Sequence, residues 1–150
     1  MRRLTVSLAV LLTFAAAGCK RAAKHSQSGE DLISVVAMDD PHADFQLVSG
    51  FYSLEGNPWR WTAAKFSADL KPPAGAGQNG ARLELKLNVP DVLIQQIGAI
   101  TLSATANGVR LAPQKFAAAG DYVYAADVPA DVLRAGSVTV DFSTDKAIPP

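Results

Sequence analysis

Apolar and polar residues alternate along much of the chain that follows Leu32. The alternation is most regular between Ala81 and Val89, where every second residue is apolar and the residues between them are charged or amide-bearing. The apolar positions are Leu83, Leu85, Leu87 and Val89, and the polar positions are Arg82, Glu84, Lys86 and Asn88. Because successive side chains of a strand point to opposite faces, this pattern predicts a strand with one buried and one solvated face. We expect Leu85, and Leu102 of the next alternating stretch, to be core residues of central strands.

A second alternating stretch spans residues 99–106 and is followed by Asn107-Gly108. Asn-Gly favours a two-residue hairpin because both positions tolerate positive φ, so residues 109–116 are predicted to return antiparallel. Pro72-Pro73 and the glycine-rich residues 75–80 predict a mobile loop. Further strands are predicted at residues 45–54, 59–70, 121–127 and 137–142.

About seven strands separated by turns predict an all-β fold, namely an antiparallel β-sandwich with Greek-key-like connections. Val-Pro occurs at residues 89–90 and again at 128–129, and in both places the proline is predicted to end a strand and begin a short helical turn. We expect both turns to carry the chain from one sheet to the other, which a simple meander would not require.

The first 18 residues have the composition of a cleavable signal rather than of a folded element. Residues 1–3 are basic in part, and residues 4–17 are apolar apart from two threonines and a serine. A helix of those 14 residues is about 21 Å long, shorter than the ~30 Å hydrocarbon core of a membrane. The pattern therefore predicts a signal helix over residues 1–18 that is removed from the mature protein.

The signal ends in Ala16-Ala17-Gly18-Cys19, which resembles the lipobox of bacterial lipoproteins. The resemblance implies diacylglyceryl transfer to the Cys19 thiol, cleavage between Gly18 and Cys19, and acylation of the new amino terminus. A lipobox commonly has leucine where this chain has Ala16. The alternative is an ordinary secretory signal that leaves Cys19 as a free thiol.

This organisation predicts three segments and a cellular location. Residues 1–18 are the signal peptide, residues 19–31 a lipidated flexible tether, and residues 32–150 the β-sandwich domain. The tether has small and polar residues without apolar periodicity. Lys20 stands where an aspartate often signals inner-membrane retention, so we expect a lipid-anchored protein of the bacterial cell envelope, on the periplasmic face of the outer membrane.

Composition narrows the function classes further. A single cysteine excludes a disulfide-stapled scaffold and a cysteine-ligated zinc site, and a formal net charge of zero disfavours nucleic-acid binding. No nucleophile elbow or phosphate-binding glycine loop occurs, so neither an enzyme nor a cofactor is predicted, although carboxylates distant in sequence could still meet. Residues 39–44 hold three aspartates and His42, a weak pattern for a metal ion that we interpret as a solvated loop.

Aromatic residues concentrate between residues 51 and 66. If residues 59–70 form a strand, Trp59 and Trp61 share one face and Arg60 takes the other. We expect both indoles in the core, with Arg60 outside and paired with Glu55. The alternative is an outward patch of Tyr52, Trp59, Arg60 and Trp61 that binds a glycan or a protein.

The same segment resembles a motif of uncharacterised bacterial β-sandwich modules, some of which are appended to membrane glycosyltransferase-type proteins. The motif is glycine, aromatic, tyrosine, then glutamate, then arginine-tryptophan. The matching positions are Gly50, Phe51, Tyr52, Glu55, Arg60, Trp61 and Thr62, with a weaker likeness at residues 107–108 and 140–143. The resemblance implies a sandwich and a carbohydrate context, and it carries no catalytic residue.

Three function classes follow from the sequence. The first is a membrane-anchored envelope lipoprotein with a non-enzymatic β-sandwich for partner binding or a structural role, its partners being membrane lipid through Cys19 and a protein or glycan. The second is a carbohydrate-binding module that uses the Trp59 and Trp61 region. The third is a small envelope enzyme, which would need a convergent cluster of titratable groups.

Overall fold

A computed structural model describes residues 32–54 and 58–148. The strands are β1 (Leu47–Phe51), β2 (Thr62–Leu70), β3 (Ala81–Val89), β4 (Ile100–Ala106), β5 (Val109–Arg110), β6 (Gln114–Phe116), β7 (Gly120–Val128) and β8 (Val138–Thr144). The helices are α1 (Ala76–Asn79), α2 (Asp91–Ile97) and two 3-10 helices, Pro41–Phe45 and Ala130–Leu133. None of the helices in these residues is long and apolar enough to cross a membrane. The signal peptide, Gly18, Cys19 and the tether predicted from the sequence lie outside the described residues.

The strands form two antiparallel sheets, which confirms the predicted all-β sandwich. The large sheet has the order β1-β2-β8-β4-β5, with β6 also paired to β4, and the small sheet consists of β3 and β7. Because β8 lies between β2 and β4, neighbours in the sheet are far apart in sequence, as the predicted crossovers require.

The segment that returns beside β4 forms two short strands instead of the one predicted strand. Asn107 and Gly108 both have positive φ, 46° and 82°, at the tip of the predicted hairpin. Pro113 has no N–H to give to β4, so the ladder is interrupted between β5 and β6. This interruption is one reason why the described residues hold eight strands rather than seven.

Two proline-initiated helices carry the chain between the sheets, as predicted. Pro90 precedes α2, which connects β3 of the small sheet to β4 of the large one. Pro129 precedes the second 3-10 helix, which connects β7 of the small sheet to β8 of the large one. Both prolines have φ near −65°, a value that the ring fixes and that suits the start of a helix.

The predicted mobile loop at residues 75–80 is wrong, because the structure has the short helix α1 there. Ala76 is buried in the core, and the N–H of Gly80 donates to the carbonyl oxygen of Ala76 at 2.8 Å. Gly77 packs against the backbone of Leu133 and Arg134 at the end of the second 3-10 helix. The glycines of this segment therefore allow close packing rather than motion.

Inward side chains of both sheets form one core. The inward positions of β3, β4 and β8 are those that the alternation of apolar and polar residues predicted. Four aromatic rings run through it in contact, with centroids 5.3 Å apart for Phe51–Phe66, 4.9 Å for Phe66–Phe142 and 6.1 Å for Phe142–Tyr124. The Tyr124 hydroxyl donates to the Ala112 carbonyl oxygen at 2.9 Å, beside the interruption in the ladder. Burial raises the pKa of Tyr124 above its usual value.

The two strands of the small sheet are buried to different extents. Three inward residues of β7, Tyr124, Ala126 and Val128, are buried, and Tyr122 on the same face is half-buried. The inward leucines of β3 are only half-buried, although β3 has the predicted in-and-out phase. Leu85 was predicted in a central strand, and this is wrong, because β3 lies at the rim of a two-stranded sheet.

The N-terminal end of the described chain is fastened to the large sheet by Gln46, a fully buried polar residue. Its amide oxygen accepts from the N–H of Ile33 at 3.3 Å, and its amide nitrogen donates to the carbonyl oxygens of Ile33 and Asp69 at 3.0 and 2.7 Å. These bonds fix the point at which the polypeptide enters the sandwich, next to the end of β2.

Candidate functional site

The site is built on the hairpin of β1 and β2, whose pairing is irregular at Gly50. Ser49 pairs with Ser67, yet Phe51, only two residues further on, pairs with Thr62. Gly50 has a φ of +75°, and a Cβ atom there would overlap the backbone of Lys65 and Phe66. Only glycine fits this close approach, which turns the ring of Phe51 onto Phe66 and leads the chain into residues 52–61.

The side chain of Arg60 is buried, with 5% of it exposed. Its Nε donates to the Met38 carbonyl oxygen at 2.9 Å. Its Nη2 donates to the Asp40 carbonyl oxygen at 3.4 Å and lies 2.8 Å from Oδ1 of Asp44. The expectation that Arg60 lies outside the fold is therefore wrong. Glu55, its predicted partner, lies outside the described residues.

A capped turn shapes the segment that receives Arg60. The Asp40 carboxylate accepts from the N–H of His42 at 2.8 Å and lies 3.0 Å from Nδ1 of the same residue. The N–H of His42 lowers the pKa of the Asp40 carboxyl below its usual value, and the His42 side chain adds to this. The turn presents the carbonyl oxygens of Met38 and Asp40 to the guanidinium.

Two of the three aspartates of this segment are engaged with protein groups. Asp40 caps the turn at His42, and Asp44 pairs with Arg60. Within residues 32–54 and 58–148, no group of three histidine, cysteine, aspartate or glutamate side chains is placed to hold a metal ion. Residues 39–44 thus serve to bury an arginine, a role that no local spacing in the sequence signals.

Trp59 and Trp61 are each 45% exposed, so the expectation that they fill the core is wrong. The reason is that β2 begins only at Thr62 and Arg60 points inward, which directs both neighbouring side chains outward. The two indole rings are in contact, with centroids 4.9 Å apart and planes at 85°. The Tyr52 N–H donates to the Trp61 carbonyl oxygen at 2.9 Å, which brings a third exposed aromatic residue alongside them.

We call Tyr52, Trp59 and Trp61 together the aromatic surface. Most of the exposed large apolar residues belong to the N-terminal part of the described chain. Those between residues 33 and 61 are Ile33, Val35, Phe45, Val48, Tyr52, Trp59 and Trp61, and those elsewhere are Val92, Val109 and Val123. Trp59 and Trp61 are both exposed and in contact with each other, and exposed apolar patches are typical of interaction sites.

Two shallow cavities include residues of this hairpin in their lining. One of about 200 Å³ adjoins the aromatic surface and is lined by Asp44, Leu47, Phe51, Tyr52, Ser53 and Arg60. The other, of about 310 Å³, crosses the outer face of the large sheet, where serine and threonine hydroxyls are joined by Lys65 and Asp141. The first extends the aromatic surface with a hydroxyl and a carboxylate.

Comparisons with protein-family models, with curated proteins and with solved structures gave no match. The geometry of the site and the sequence are therefore the basis for assigning a function.

Replacing Arg60 is expected to destabilise the fold more than replacing an exposed arginine. Arg60→Ala leaves Asp44 and two backbone carbonyl groups without their donor, which should lower the free energy of unfolding by about 1–3 kcal/mol. Arg82 also lies near two carboxylates, those of Glu84 and Asp127, but it is exposed, so Arg82→Ala should cost at most about 0.5 kcal/mol. Urea unfolding measures both variants, and equal costs would contradict the buried role of Arg60.

Proposed function

We propose that this protein is a lipoprotein of the bacterial cell envelope, anchored through acylated Cys19 at the periplasmic face of the outer membrane. Its β-sandwich binds a protein partner through the aromatic surface and catalyses no reaction. The observation that carries the proposal is the exposure of two adjacent indoles on a segment held in place by a buried arginine.

The aromatic surface has the properties of an interface centre. Tryptophan and tyrosine are enriched among the residues that dominate binding energy, because they bury a large apolar area and lose little conformational entropy. The backbone bond between Tyr52 and Trp61 and the three acceptors around Arg60 fix this segment before any partner arrives. Such preorganisation lowers the entropic cost of association.

The relative orientation of the indoles favours a protein over a glycan. Sugar rings stack on open aromatic faces, whereas planes at 85° place the edge of one indole against the other ring. A glycan is the second candidate, supported by the adjoining cavity with its Ser53 hydroxyl and Asp44 carboxylate. Crosslinking at Trp59 distinguishes the two candidates, because the adduct would contain a protein in the first case and a glycan in the second.

The anchor rests on the sequence. Cys19 is the single cysteine, it follows small residues at the end of an apolar segment, and residues 20–31 are polar and small. A flexible chain of those 12 residues spans roughly 20 Å, which would keep the sandwich close to the membrane surface. Acyl chains contribute about 0.8 kcal/mol for each buried methylene group, so two or three chains hold a protein firmly.

Cys19→Ser removes the only thiol that can form the thioether to lipid. We expect the variant to leave the membrane fraction or to accumulate as an uncleaved precursor, while the unchanged protein fractionates with membranes. Fractionation and mass spectrometry of the amino-terminal peptide measure this. Membrane association of the variant at the size of the processed protein would contradict the anchor.

A photo-crosslinking residue at Trp59 tests the binding role in intact cells. We expect one discrete adduct, which a protease digests and a muramidase leaves unchanged. The adduct should be lost when the substitution Trp61→Ala is added to the same chain. Val123 offers a matched control because it is equally exposed, at 46%, on the small sheet. An adduct digested by muramidase would favour the glycan, and the same adducts at Val123 as at Trp59 would contradict the site.

A further inference from the structure

Among the residues that the structure describes, strand β3 has one edge without a neighbouring strand. In the described part of the chain it pairs only with β7, over nine residues. Its inward leucines are half-buried, whereas three inward residues of β7, Tyr124, Ala126 and Val128, are buried. The large sheet therefore does not cover β3 completely, and within the described residues this regularly alternating strand has an unpaired edge at the rim of the sandwich.

The side chains of β3 are complementary to themselves when the strand is read in reverse. Two copies that run antiparallel with Leu85 at the centre place Glu84 of each copy opposite Lys86 of the other. On the inward face the same arrangement places Leu83 opposite Leu87, and Leu85 opposite Leu85. Opposite charges and apolar residues that face each other across strands stabilise a sheet.

We propose that β3 is a dimerisation strand, which pairs antiparallel with β3 of a second copy of this chain about a two-fold axis at Leu85. The outcome is a four-stranded sheet with the order β7-β3-β3-β7, shared by the two sandwiches. A two-fold axis makes the contact isologous, so it closes at a dimer and does not continue into a fibre. The proposal is independent of the aromatic surface and of the lipid anchor.

Charge and the length of the paired strand together select this register among the alternatives. The inward side chains of both copies must point to the same face of the shared sheet. Inward residues of one copy then lie opposite inward residues of the other, so the two-fold axis has to pass through a residue of the strand and not between two residues. An axis at Glu84 would place two glutamates opposite each other, and an axis at Lys86 would do the same with two lysines. An axis at Leu83 or Leu87 retains five residues of the strand in the pairing, whereas Leu85 retains all nine.

The free edge of β7 does not have this property. Its outward charged residues, Asp121 and Asp127, are both acidic. Antiparallel pairing of two β7 strands about Tyr124 would place Asp121 of one copy against Asp127 of the other. Like charges directly opposite each other are destabilising, so of the two edges of the small sheet only β3 suits a second copy.

Reversing the charge of Glu84 or of Lys86 tests the proposal. The full chain is studied in a mild detergent whose density matches that of the solvent, under reducing conditions. Sedimentation equilibrium should give twice the mass of one chain for the unchanged protein. Glu84→Lys and Lys86→Glu should each weaken dimerisation by about tenfold or more, because two opposite-charge contacts become two like-charge contacts. An equimolar mixture of the two variants should recover the dimer, as should the variant that carries both changes.

The mixture separates loss of the interface from loss of folding, since variants that fail to fold would not recover a dimer together. Lys115→Glu, on the exposed side of β6, reverses a charge away from β3 and should leave the dimer unchanged. A single-chain mass for the unchanged protein would overturn the proposal. Dimers of unaltered strength in both single variants would overturn it as well.

Discussion

A buried guanidinium has to be surrounded by hydrogen-bond acceptors. At Arg60 this requirement determines how the residues of the candidate site are arranged. Arginine does not lose its charge in a protein, so an unpartnered one would not stay inside the fold. The carbonyl oxygens of Met38 and Asp40 and the Asp44 carboxylate meet the requirement. Once Arg60 points inward, the indoles on either side of it point outward.

The same contacts join two segments that are distant in sequence, and they make the exposed aromatic residues part of a rigid surface. Gly50 contributes the close approach of β1 to β2, and Gln46 fastens the chain near Ile33 at the other end of the hairpin. Gly50 and Arg60 shape the surface, while Tyr52 and Trp61 form it.

Most of the fold could be predicted because a period of two is a local property of the chain. The alternation in β3, β4 and β8 placed inward and outward residues correctly, and the prolines at 90 and 129 marked the crossovers. The orientation of Trp59 and Trp61 could not be predicted in this way. It depends on Asp44 and Met38, which lie 16 and 22 residues from Arg60 in the sequence. The half-buried state of Leu85 likewise depends on which strands lie beside β3.

The fluorescence of the folded protein tests the orientation of this segment most directly, because Trp59 and Trp61 are the two tryptophans of the chain and report on it alone. Emission should lie close to that of an indole in water, and iodide should quench it nearly as strongly as it quenches the unfolded chain. Blue-shifted emission that iodide leaves unquenched would place both indoles in the core and contradict the inward orientation of Arg60.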